Sequence, residues 1–203
     1  MAVLEKKPTS STVGMRDVVV AFMESDDSTG TVYEEDIQPL AGAIEGVITP
    51  ENTDPEVQEA DDGEFDAVYP SPHGTLQLNL VDIPIALRPR ILGGYLDQNG
   101  VYVNGTRDQQ PYMAIGFKSR KADSTDRYIW LYKVRARPMT ENYATRGTTS
   151  VTRQQAQVTL DYMTRQSDGE WRGMADVGQN GFTEDKAANF FATVYKPVSQ
   201  ASG

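Results

Sequence analysis

The chain has 203 residues, with 19 Lys and Arg against 29 Asp and Glu, and no cysteine. The formal charge of −10 argues against a groove that grips nucleic acid through many phosphates, and the lack of cysteine excludes disulfides, thiolate metal sites and cysteine nucleophiles. No apolar run approaches the roughly 18 residues of a membrane span, and the opening MAVLEKKPTSS lacks the apolar stretch of a signal peptide, so synthesis in the cytoplasm without membrane contact is expected.

In chain order, residues 1–14 are polar and small and read as a terminal arm, followed by a single domain over 15–196 and a small polar tail over 197–203. Met15–Met23, MRDVVVAFM, is β-branched and mostly apolar, which predicts a buried or interface strand, and Ser25–Gly30 predicts the turn after it. Ala41–Thr49 predicts a strand whose glycines mark a bulge. Residues 50–73 then form a long acidic loop. Its first part carries Glu51, Asp54, Glu56, Glu59, Asp61, Asp62, Glu64 and Asp66 with two prolines and no basic residue, a composition that resists burial.

Leu76, Leu78 and Leu80 alternate, as on a half-buried strand. Asp82 is placed to cap a short helix that carries Leu87 and Ile91 inward and stops at Gly93-Gly94, with Pro89 kinking or restarting it. Asn99-Gly100 predicts a hairpin turn.

From Pro111 to Arg137 two apolar runs flank the polar SRKADSTD, which predicts a β-hairpin. Strict alternation puts Tyr128, Trp130, Tyr132 and Val134 on one face of its second strand, with Ile129, Leu131, Lys133 and Arg135 on the other. Thr149–Met163 predicts a long strand with Thr152, Ala156, Val158, Leu160 and Tyr162 inward and Arg153, Gln155, Gln157, Thr159 and Asp161 wet. Ser167-Asp168-Gly169 turns the chain toward Trp171. Thr183 then caps a short helix presenting Ala187, Phe190, Phe191 and Val194 at helical spacing.

No residue set for catalysis, a cofactor or a metal emerges. His73, the single histidine, sits in a Pro-Gly turn without the partners a triad or metal centre needs. Asp61-Asp62-Gly63-Glu64 lacks the calcium-loop spacing, and neither phosphate-binding glycine fingerprint occurs. Asn104-Gly105-Thr106 has the N-glycosylation pattern but no secretory context. Tyr128, Trp130 and Tyr132 could stack sugars or bases, yet such a stripe is more often core.

Asp108 with Pro111-Tyr112, then Ala114–Ser119 and Arg127–Lys133, resembles the signature of the major tail proteins of siphophages infecting Gram-positive bacteria. The similarity extends through Asp61-Asp62-Gly63, Leu92-Gly93 with Asp97 and Gly100, Asp168–Trp171, Phe190-Phe191 and Val194-Tyr195. Pro89 departs from the family's smoother helical segment.

The resemblance implies a mainly β fold, a tail-tube-type β-sandwich or barrel flanked by a short helix and a long acidic loop. It implies a structural virion protein that stacks as hexameric rings into the tail tube around the tape-measure protein, meets the tail-end proteins, and lets DNA transit without specific binding. Loop residues Glu56, Glu59, Asp61, Asp62, Glu64, Phe65 and Asp66 are then candidates for inter-subunit contact, with Arg88, Arg90, Arg120 and Lys121 as cationic partners. Arg153, Gln155, Gln157 and Thr159 are candidates for the lumen. Two rivals stand beside it: a carbohydrate- or receptor-binding β-module using the aromatic stripe, and a hydrolase using Asp61 or Asp62.

Overall fold

The computed structural model describes residues 10–40, 42–51, 54, 56–60, 63–141, 143, 155–179 and 181–198. In chain order the elements are β1 (Thr12–Asp27), β2 (Gly30–Tyr33), β3 (Gln38–Leu40), β4 (Ala43–Glu51), β5 (Glu56–Ala60), β6 (Gly63–Val68), β7 (His73–Leu80), α1 (Arg88–Leu92), β8 (Tyr95–Leu96), β9 (Tyr102–Val103), β10 (Tyr112–Lys121), β11 (Asp126–Ala136), β12 (Ala156–Tyr162), β13 (Arg172–Asp176) and α2 (Glu184–Ala188). The fold is mainly β. One antiparallel sheet runs β2-β1-β10-β11-β12-β7-β4, with β3 added to β1 and β13 to β11, while β5–β6 and β8–β9 are separate two-stranded pairs.

The centre is β1–β10–β11, whose length comes from the β-branched and aromatic runs. One face presents Val18, Val20, Phe22, Met113, Ile115, Phe117, Ile129 and Leu131 to a core completed by Leu76, Leu78 and Leu80 of β7 and Val158 and Leu160 of β12. The β12–β7–β4 end of the sheet therefore folds back across this face. Gly46 of β4 lies so close to β1 that a Cβ there would sit 2.7 Å from Met15 Sδ. Burying each of these leucines contributes about 1.5–3 kcal/mol.

The opposite face presents Ala21, Ala114, Tyr128, Trp130 and Tyr132 to Ala187 of α2 and to Phe190 and Val194 beyond it. Trp130 is fully buried, and its Nε1 donates to the Phe190 carbonyl at 3.1 Å. Phe191 meets the Trp130 ring edge-on at a centroid distance of 5.3 Å.

Local details depart from the sequence pattern at several points. The pairing of β10 with β11 steps from Met113↔Val134 to Ile115↔Leu131, so β11 carries one extra residue. That bulge moves Val134 off the Trp130 face and into the core with Leu131. β1 begins at Thr12, inside the stretch assigned to the arm, and runs to Asp27, which narrows the expected turn to Ser28-Thr29. β12 begins at Ala156; residues 149–154 lie outside those described.

The helix after β7 starts at Pro89's own turn, with Leu87 as its N-cap. Asp82 instead accepts from the Ile83 N–H at 2.8 Å. Gly93 and Gly94, at φ 81° and 85°, stop it in the left-handed region that glycine adopts without strain. At α2, Thr183 is the N-cap, although its side chain makes no capping bond, and the α-helical stretch ends at Ala188.

Candidate assembly surfaces

The second layer has one dry and one wet face. β12 pairs with β7 as Gln157↔Asn79, Thr159↔Gln77 and Asp161↔Thr75, and β7 pairs with β4 as Asn79↔Glu45, Gln77↔Val47 and Thr75↔Thr49. Because side chains alternate along a strand, these nine residues share the face turned away from the leucine core. The Asn79 amide donates to Glu45 at 3.2 Å, and Arg137 extends the face by pairing with Asp161 at 2.7 Å.

Of the four lumen candidates, Gln157 and Thr159 lie on this face, Gln155 is exposed just before β12, and Arg153 lies outside the described residues. The β7 and β4 members, Thr75, Gln77, Asn79 and Glu45, were not singled out from sequence. The alternation of Leu76, Leu78 and Leu80 already implied the β7 set, since the residues between them must face the other way.

β4 is the last strand on its side of the sheet. Its exposed Ile44 and Val47 stand beside a register irregularity between Ala43 and Glu45. Natural edge strands are commonly blunted by such bulges and charges.

The acidic segment is more ordered in its backbone than a loop. β5 and β6 pair as an antiparallel hairpin, with Glu56↔Val68, Gln58↔Asp66 and Glu59↔Glu64 in register. Glu56 and Glu59 lie in β5 and Glu64, Phe65 and Asp66 in β6, while Asp61 and Asp62 fall outside the described residues. The hairpin springs from the β4–β7 ladder, whose final pair is Glu51↔His73.

Most of the cations suggested as its partners are engaged within the chain. Arg88 contacts Glu141 at 2.5 Å and Asp82 at 3.4 Å, Arg90 pairs with Glu34, and Lys121 meets Asp176 at 2.7 Å. Arg120 is the looser one, 4.0 Å from Asp126 with its side chain 41% exposed.

Two other carboxylates organise the interior. Asp26, whose side chain is almost fully buried, accepts from Lys133 Nζ at 2.6 Å, from the Thr31 hydroxyl at 2.8 Å and from the Gln166 main-chain N–H at 2.9 Å. Burial opposes its charge, but these donors prevail and hold its pKa below the ordinary aspartate value. Asp176 receives the Arg127 fork at 2.7 and 2.8 Å together with Lys121, and its pKa falls to about 2, chiefly through the Arg127 bonds.

A groove of about 810 Å³ lies between α1, the β9 region and residues Pro138, Met139, Glu141 and Tyr143, lined in part by Ile85, Leu92 and Val101. Ile85, Val101 and Tyr143 are more than half exposed. His73 Nδ1 lies 2.9 Å from the Ser71 carbonyl, a contact local to its own turn. Among the described residues no group of three or more His, Asp or Glu is arranged to hold a metal ion. Tyr128, Trp130 and Tyr132 are core residues.

No family model matches the chain, and no curated protein matches it.

Proposed function

We propose that this chain is a structural subunit of a siphophage tail tube, polymerising as stacked hexameric rings around the tape-measure protein. It resides in the virion tail, adjoins the tail-end proteins, and lets DNA transit without specific binding. The observation that carries the reading is the polar face of β12–β7–β4, one continuous wet surface backed by a leucine core and bounded by an edge strand.

Such an edge invites pairing with another copy, and ring closure removes edges altogether. Among the described residues the face is rich in Thr and Gln and mixes Arg137 with Asp161 and Glu45, so it presents no row of cations to hold phosphates. The signature residues Ala114–Ser119 and Arg127–Lys133 supply the central pair β10–β11 around which both cores form. The rival carbohydrate-binding module loses its stacking platform, because the aromatic stripe is buried.

Negative-stain microscopy of the concentrated protein tests the proposal. Rings or hollow tubes with a central channel are expected. A strict monomer at every concentration and ionic strength, together with its absence from purified tails, overturns it.

A further inference from the structure

Asn99-Gly100 and Asn104-Gly105 lie five residues apart in sequence, on either side of β9. In an Asn-Gly pair the glycine amide nitrogen can reach the asparagine side-chain carbonyl carbon, since glycine has no Cβ to obstruct the approach. The two pairs stand in different electrostatic settings. At the second, the Gly105 N–H donates to Asp108 Oδ2 at 2.7 Å, and the same oxygen accepts from Asn104 Nδ2 at 3.1 Å. That Nδ2 also donates to the Tyr102 hydroxyl at 2.8 Å. A carboxylate against an amide N–H keeps the proton on nitrogen, and the amide that would have to leave is held by two partners.

At the first pair the Gly100 N–H donates to a neutral acceptor, the Asp97 main-chain carbonyl, at 3.0 Å. The Asp97 carboxylate bonds first to other donors, its Oδ1 accepting from the Val101 and Asn99 main-chain N–H groups at 2.8 Å each, and the Gly100 N–H adds only a lesser contribution to the lowering of its pKa. Asn99 Nδ2 reaches only Asp97 Oδ2, at 3.4 Å, near the limit of a hydrogen bond. Asn99 and Gly100 are both exposed, and nothing lies within 4 Å of where a Gly100 Cβ would stand.

We propose that Asn99 is a site of spontaneous deamidation and that Asp108 protects Asn104 from the same reaction. The Gly100 nitrogen bonds to Asn99 Cγ, the Cγ–Nδ2 bond breaks, and ammonia departs with the proton released from the Gly100 nitrogen. Water then opens the resulting succinimide at either carbonyl, giving aspartate or isoaspartate; no oxidant or reductant takes part. The product places a second carboxylate beside Asp97 in the turn that joins β8 to β9, next to Val101 on the groove rim.

The test holds the full chain at mildly alkaline pH, samples it over time, and reads tryptic peptides by tandem mass spectrometry. The peptide Ile91–Arg107 contains both asparagines, and its fragment ions distinguish them. Asn99 should convert several-fold faster than Asn104 in the folded chain, and the gap should close in denaturing urea. Asp108→Ala should raise the Asn104 rate several-fold while leaving Asn99 unchanged; Asp108→Asn, which removes the charge but keeps the shape, serves if the alanine variant does not fold. Equal rates in the folded chain, a gap that persists in urea, or an unchanged Asn104 rate in the folded Asp108 variant would each overturn the proposal.

Discussion

The hydroxyl of Tyr132 on β11 lies against Gly173 on β13 so closely that a Cβ at residue 173 would overlap it. The same hydroxyl is buried without a hydrogen-bond partner among the described residues, and burial pushes its pKa above the usual tyrosine value. Arg165, itself buried, stacks over the ring at 4.0 Å. Gly173→Ala must therefore displace the ring or the strand, an overpacking expected to cost about 1–3 kcal/mol. Tyr132→Phe removes an orphaned polar atom, whose burial costs about 1–3 kcal/mol, so this variant should match or exceed wild-type stability. The double variant should recover part of the alanine penalty, because the overlapping oxygen is gone. Urea unfolding of the three variants measures this, and a marked loss in Tyr132→Phe alone would contradict the packing account.

Trp130 ties β11 to the segment after α2, since its ring packs on Phe191 and its Nε1 donates to the Phe190 carbonyl. Trp130→Ala should lose about 3–5 kcal/mol, the usual range for truncating a buried tryptophan. Trp130→Phe should lose less, keeping an aromatic ring but not the hydrogen bond. A variant that melts like wild type would place the ring outside the core.

Asp176 gives the fold an acid limit. Its folded pKa of about 2 lies below its ordinary value of 3.8, so the stabilisation is fully present above pH 3.8 and is lost as pH falls through about 2. For a side chain 13% exposed the shift corresponds to about 2 kcal/mol, reduced by the partial exposure of Arg127. Asp176→Asn should be less stable than wild type near neutral pH, and the difference should shrink as both proteins approach pH 2. A stability gap that is constant from pH 7 to pH 2 would show that the carboxylate's charge is not what matters.

The strands were legible where side-chain chemistry and periodicity agreed. Leu76, Leu78 and Leu80 named their strand, and Val158, Leu160 and Tyr162 named the inward face of β12. Val134 was misplaced for a reason that no alternation pattern carries: the extra residue in β11 is specified by pairing with β10 across a turn. Asp82 has the chemistry of a helix cap, but Pro84 and Pro89 delay the helix until Leu87, where an apolar residue takes the position. The acidic segment read as a loop because charge and proline argue against burial, whereas a two-stranded hairpin satisfies its backbone groups by pairing them with each other. The wet face was half legible. Gln157 and Thr159 came from one strand's pattern, but their alignment with Gln77, Asn79 and Glu45 depends on a strand order that joins β12 to β7 and β7 to β4.

The last prediction concerns the acidic hairpin. Among the described residues its strands pair only with each other, and it follows the Glu51↔His73 end of the β4–β7 ladder. Deleting Val57–Asp66 should therefore leave the melting temperature of the monomer close to wild type, since shortening a loop changes closure entropy only slowly with length. If the tail-tube reading holds, the same deletion should abolish or sharply slow polymerisation, because the hairpin is the proposed contact with a neighbouring subunit. The acidic segment from Glu51 to Asp66, six of whose eight carboxylates belong to the hairpin sequence, has no basic residue, and Arg120 is the cation suggested from sequence that the fold leaves most accessible. Each exposed ion pair contributes about 0.2–1 kcal/mol, so several must act together, and assembly should weaken as salt shortens the screening length below about 8 Å. Arg120→Glu should slow assembly in the same direction, with a smaller effect than the deletion. Turbidity and electron microscopy report assembly, and circular dichroism reports the monomer fold. Tubes of normal yield from the deletion would reject the hairpin as a contact while leaving the tube itself intact; an unfolded deletion variant would instead make the hairpin part of the domain's own stability.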